Sequence, residues 1–245
     1  MTKLKIKIIS WGQLPFKFDR AKIENWESDI FEVVGSIETH QINQDSDGEF
    51  HEYYDQTVLK DMPDNSDCDF MIAMTNVPLE NNWYSRRLND KTVCFSFFEL
   101  ADILRPNNIP LENLAFRLFY AYSLIYKRFG NRLPASTEPT NFTHSDTRQC
   151  LFDFNGIKSE IIFSTVKPTI CDECYYYLQK EKVSKETLDK IRTELKKVKK
   201  PFYYQLTDFF KEKPFIAFGL SGLLAIILGI VGSIIYDTWI KELIK

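Results

Sequence analysis

The chain has 245 residues, 44% hydrophobic and 27% charged, with a formal charge of −3; it suits one folded domain plus an appendage and excludes a disordered or fibrous chain. Residues 1–178 carry 18 Lys+Arg against 26 Asp+Glu, a net of −8, whereas residues 179–213 carry 11 against 6, a net of +5. So acidic a body excludes duplex DNA as its partner, because phosphate binding needs clustered positive side chains; a basic stem suits anionic lipid.

The opening MTKLKIKIIS lacks the long apolar core and small-residue cleavage site of a signal peptide, so reduced thiols are expected of the five cysteines. KLKIKIISW alternates as a strand does, with Leu4, Ile6 and Ile8 on one face. HEYYD, His51 to Asp55, resembles the H-E-x-x-H zinc helix until its last residue, Asp where His is required, and beside DSDGEF it reads as an exposed polar segment. His40 stands alone. CDFMIAMT and KTVCFSF are short apolar runs that suit buried strands, with Cys68 and Cys94 as core residues. IPLENLAFRLFYAYSLIYKRF starts at Pro110, keeps apolar residues at helical spacing and ends on Lys127–Arg128, which predicts the main buried helix. The expectation is an α/β cytoplasmic domain over 1–178, a mixed sheet with flanking helices. The sequence holds no phosphate-binding glycine loop and no G-x-S-x-G elbow, so no enzyme is expected. Were the body to bind a nucleotide, Arg86–Arg87 or Lys127–Arg128 would supply local positive charge.

The Pro/Ser/Thr-rich loop NRLPASTEPTNFTHSD leads to TRQCLFDFNGIKSEIIFSTVKPTICDEC, which holds three of the five cysteines. A C-x-x-C turn points two thiolates, Cys171 and Cys174, at one tetrahedral ion, and the distant Cys150 can supply a third. A structural zinc needs a fourth ligand; His144, six residues ahead of Cys150, is the best candidate and Asp146 a weaker one. Two alternatives stand beside zinc at 144–174. The thiols could be buried and uncoordinated, or the C-x-x-C could be a redox pair, although Pro168 and the acidic DE do not clearly place it at a helix start after a strand.

From Ser184, SKETLDKIRTELKKVKK places Leu188, Ile191, Leu195 and Val198 at a/d spacing, which fits a short coiled-coil stem and equally a helix packed on its own domain. Pro201 stops it, and FYYQLTDFFKEK brings aromatic residues suited to a membrane interface. The stem and interfacial segment are expected at 179–213. Pro214 to Tyr236 is free of charge over 23 residues; at ~1.5 Å per residue this spans roughly 34 Å, enough for a hydrocarbon core of about 30 Å. Lys196, Lys197, Lys199, Lys200, Lys211 and Lys213 precede the span, and only Lys241 and Lys245 follow. That bias places the N-terminal domain in the cytoplasm and a short tail, 237–245, outside, with one pass through a bacterial inner membrane. Ala217, Ser221, Ala225, Gly229 and Ser233 form a stripe of small side chains that lets helices approach closely. A homo-oligomer is therefore expected, and its spans could line a pore.

The order of an N-terminal strand, CDFMIAMTNVPL, KTVCFSFFEL, a long helix, a C-L-F-D segment and C-x-x-C resembles archaemetzincin-type metallopeptidases over roughly residues 4–178. The resemblance implies that Cys150, Cys171 and Cys174 are structural zinc ligands; His144 stands where the family has cysteine. ENLAFRLFYAYSLIYKRF contains neither of the two histidines nor the glutamate that bind catalytic zinc and activate water, which implies a catalytically inactive relative. A cytoplasmic domain with one C-terminal span is also similar in architecture to membrane effectors of bacterial anti-phage systems. The expected function is a membrane-anchored antiviral effector that senses a ligand, such as a nucleotide signal, or a partner, and forms a pore or ion channel through its assembled spans. The alternatives are a membrane-tethered metallopeptidase-like hydrolase and a membrane adaptor for a partner enzyme.

Overall fold

The structure, a computed structural model, describes residues 2–141, 143–236 and 238. Apart from Thr238, the tail expected at 237–245 lies outside the described residues, Lys241 and Lys245 included. The chain divides into two compact units, Met1–Lys199 and Lys200–Lys245.

In the first unit, β1 (Leu4–Trp11), β2 (Phe31–His40), β3 (Phe70–Thr75), β4 (Ser85–Arg87) and β5 (Thr92–Ser96) form one sheet in the order β2-β1-β3-β5-β4. The pairings are parallel except at the β4 edge, which runs antiparallel to β5. Every residue of β3 and β5 is buried, as central parallel strands covered on both faces require. β1 alternates only at its start; from Ile8 onward both its faces are covered. β2 carried no clear strand signal. It lies at the sheet edge, is largely exposed, and bulges: Lys7 pairs with Val34 but Ile9 with Glu38. Gly35, at φ +71, takes the left-handed turn of that bulge.

Among the described residues the α-helices of this unit are α1 (Arg20–Glu24), α2 (Asp55–Lys60), α3 (Leu100–Leu104), α4 (Leu111–Arg128), α5 (Ile161–Val166), α6 (Asp172–Lys180) and α7 (Lys185–Leu195). α4 is buried from Leu111 to Tyr126. Its Phe116, Phe119 and Tyr120 share one buried cluster with Ile6, Phe70, Ile72 and Phe95 of the sheet. Each fully buried side chain of this size adds ~1.5–3 kcal/mol. The opposite face of the sheet packs Ile9, Trp11, Met71 and Cys94 with Val58 and Cys68, so both outlying cysteines are core residues as read from the sequence.

The expected body–stem boundary at 178 moves. Leu188, Ile191, Leu195 and Val198 are buried in the main core, and the compact unit runs to Lys199. The a/d stripe is the face by which α7 packs on its own domain, so 179–199 belongs to the body. In the second unit, α8 (Phe202–Glu212) exposes Phe202, Tyr203, Leu206 and Phe210. α9 (Pro214–Ile235) begins with proline in its first turn and is long and apolar enough to cross a membrane. Ala217 is buried, whereas Ser221, Ala225, Gly229 and Ser233 of the stripe are exposed.

Candidate metal centre

Short backbone bridges bring the zinc candidates together. His144 pairs with Asp153, its N–H donating to the Phe152 carbonyl at 3.3 Å and its carbonyl accepting from Phe154 N–H at 3.0 Å. Cys150 pairs with Thr169; Leu151 N–H donates to the Thr169 carbonyl at 2.8 Å, and Thr169 N–H to the Gln149 carbonyl at 2.9 Å. Two residues after Thr169 the chain reaches Cys171, the N-cap of α6, whose sulfur accepts from Cys174 N–H at 3.4 Å. The C-x-x-C thus opens a helix, which the sequence did not make plain. What separates it from a lone redox pair is the convergence of two further ligands on the same point.

The ligand atoms of His144, Cys150, Cys171 and Cys174 all lie within 4.8 Å of one another. Cys171 Sγ and His144 Nε2 are 3.6 Å apart, the edge expected of a tetrahedron with bonds of ~2.3 Å to sulfur and ~2.1 Å to nitrogen. His144 completes the group; Asp146 stands behind it. His144 Nδ1–H donates to the Asp146 carbonyl at 2.8 Å and lies 3.4 Å from Asp153 Oδ1. This leaves Nε2 as the lone-pair nitrogen facing the thiols, the arrangement that orients a zinc-ligating imidazole. Asp153 is buried and accepts from Arg148 N–H at 3.1 Å and Cys150 N–H at 3.0 Å. Three thiolates and one imidazole at this spacing form a zinc site of the structural kind.

Between themselves the thiols share the proton unequally. The Cys150 thiol is drawn down to about 5 by its hydrogen bond with Cys174, against the opposing effect of burial and with help from Cys171 N–H, while that same bond, and then burial, raise the Cys174 thiol. Burial works against protonation of His144, but the Cys150 sulfur, the Asp146 carbonyl and Asp153 raise its pKa overall. Desolvation is the main cause that raises the Asp153 carboxyl.

Other candidates fall elsewhere. His51 is exposed in a turn at φ +57, and His40 ends β2 beside Glu38. Arg86 is committed to Asp55 at 2.7 Å and Glu80 at 2.7 Å. Arg128 engages Glu181 and the Thr140 carbonyl, and burial lowers the pKa of Lys127. Asp153 was missed as a supporting residue, although the aspartate inside CLFDF was its visible signal.

Fold and site together define a mixed α/β domain tied by a Cys3His metal group, with one apolar helix beyond it. No protein-family model matches the sequence, and no curated protein does. Among solved structures, the chain is similar to the crystal structure of archaemetzincin (amzA) from Methanopyrus kandleri, at 16% identity and a TM-score of 0.47. The similarity covers 73% of this chain and 95% of that one. At that score the neighbour's chemistry does not transfer, and the site stands on its own residues.

Proposed function

We propose that this chain is a membrane-anchored effector whose zinc-tied body binds a small ligand or a partner and does no catalysis at its metal. The closed ligand set carries this reading. Four protein donors fill a tetrahedral site and leave no position for a water to be activated. The zinc supplies a staple for a segment of short bridges, whose backbone bonds alone close only small loops.

The helix Pro214–Ile235 supports a single pass through a bilayer. The lysines before it support a body on the cytoplasmic side of a bacterial inner membrane. Ser221, Ala225, Gly229 and Ser233, exposed at four-residue spacing, support close packing of copies. Assembled spans would then open a pore when the body is occupied, a design suited to antiviral defence.

Light scattering of the full chain in detergent tests the assembly. More than one copy per particle, reduced to one by Gly229→Leu, is the expected result; a monomeric parent chain overturns the reading. A second metal per chain, lost in His51→Ala, would instead favour the hydrolase alternative.

A further inference from the structure

We propose that the cavity over α4 binds a small molecule through an anionic group, phosphate or carboxylate, joined to a planar ring. This site deepens the ligand-binding role proposed above and rests on it. The cavity has a volume of about 380 Å³ and lies between β4, the outward side of α4 and the segment Leu151–Phe154 beside the metal group.

Its floor is Arg117, 1% exposed. One Nη donates to the Asp153 carbonyl at 3.1 Å and the other approaches the Tyr84 hydroxyl at 3.4 Å. Its Nε has no hydrogen-bond partner among the described residues. Both acceptors are neutral, so the guanidinium is buried without a paired carboxylate. A buried charge of that kind is costly unless an opposite charge meets it. Asp153 is near enough to interact with it electrostatically but makes no ion pair with it, because its carboxylate is turned to the Arg148 and Cys150 amides.

Arg87, from β4, repeats the pattern at the wall of the same cavity. Its Nη2 donates to the carbonyls of Ala135 and Glu138 at 3.1 and 2.9 Å, and its buried Nε has no partner among the described residues. The third arginine of the lining, Arg86, is by contrast neutralised by two carboxylates. In a body whose residues 1–199 carry 26 Lys+Arg against 30 Asp+Glu, a net of −4, two arginines hydrogen-bonded only to neutral oxygens around one cavity are a built anion site, and arginine's fork suits phosphate or carboxylate.

The mouth supplies the other half of the ligand. Trp83 and Phe154 stand there partly exposed, their ring centroids 5.3 Å apart at 65°. Exposed aromatic rings beside a cationic floor favour a ligand with a π-face. The volume suits a molecule the size of one nucleotide and excludes an extended chain. Asn155 Nδ2 shares the Asp153 carbonyl with Arg117 at 3.0 Å, so the segment that the metal holds in place also fixes the floor.

Isothermal titration of the full chain in detergent tests the site with four probes: adenosine monophosphate, indole-3-acetate, adenosine and inorganic phosphate. One of the two ring-bearing anions should bind at least ~10-fold tighter than adenosine and inorganic phosphate, since hydrogen bonds to a charged group are the stronger kind. Which of the two binds decides between phosphate and carboxylate. Arg117→Gln should weaken that binding roughly 10- to 100-fold. Should Arg117→Gln lose its fold, seen as lost zinc or a changed circular dichroism spectrum, Arg87→Gln at the sheet edge carries the same expectation. Adenosine binding as tightly as the anions, no binding by either ring-bearing anion, or full affinity in a folded arginine variant would overturn the proposal. Scattering keeps the two proposals apart: failed titration with intact assembly removes the cavity alone, and titration that succeeds on a monomer removes the pore alone.

Discussion

Replacing Glu194 with alanine should loosen α7 from the body. Glu194 is 6% exposed and accepts three hydrogen bonds: Ser28 Oγ–H at 2.6 Å, Asp29 N–H at 2.8 Å and Tyr120 O–H at 2.5 Å. Burial, and then the bond to Glu194, raise the Tyr120 pKa, so its hydroxyl remains a donor. Each bond to a charged acceptor contributes ~1.5–3 kcal/mol. The three share one carboxylate and do not add fully, so the loss is ~3–5 kcal/mol. Amide hydrogen exchange on the full chain reads this locally. At ~1.4 kcal/mol per tenfold, the amides of 185–195 should exchange at least ~100-fold faster in Glu194→Ala. Equal protection in parent and variant would show that α7 does not depend on this anchor.

Two further outcomes follow from named contacts. Arg132 forks onto Glu138 at 2.9 and 2.8 Å and Ala135 N–H adds a third bond, which holds the Glu138 carboxyl at about 2; its folded value is depressed, so its stabilising effect is complete above 4.5 and is lost as the pH falls toward 2. An NMR titration should place its midpoint near 2, moving up in Arg132→Ala, and a midpoint near 4.5 in the parent chain contradicts the contact. Asp153→Asn removes the negative charge beside His144 Nδ1 and should weaken zinc about 10- to 100-fold in a chelator competition; unchanged affinity contradicts its supporting role.

Much of the site could be read from spacing alone. Cys150, Cys171 and Cys174 show themselves because C-x-x-C confines two thiols to one turn, whatever the rest of the chain does. His144 was nameable only by proximity along the sequence, and its pairing with Asp153 supplied what spacing lacked. Arg117 was invisible. An arginine inside an amphipathic helix normally reaches solvent, but this helix is covered all round, with Tyr84 and Leu151–Phe154 beside Arg117. Glu194 was hidden in the same way, one carboxylate in a lysine-rich stretch. The a/d stripe of α7 was ambiguous because two heptads describe a coiled coil and a core-facing helix equally well. β2 escaped notice because an edge strand with a glycine bulge loses the alternation that marks a strand.

X-ray absorption at the zinc edge of the full chain addresses the central claim, a closed structural site. Three sulfurs at ~2.3 Å and one nitrogen at ~2.0–2.1 Å, with one zinc per chain that is lost in Cys171→Ser, are the expected result. A water oxygen in the first coordination sphere, fewer than three sulfurs, or no bound zinc would contradict it.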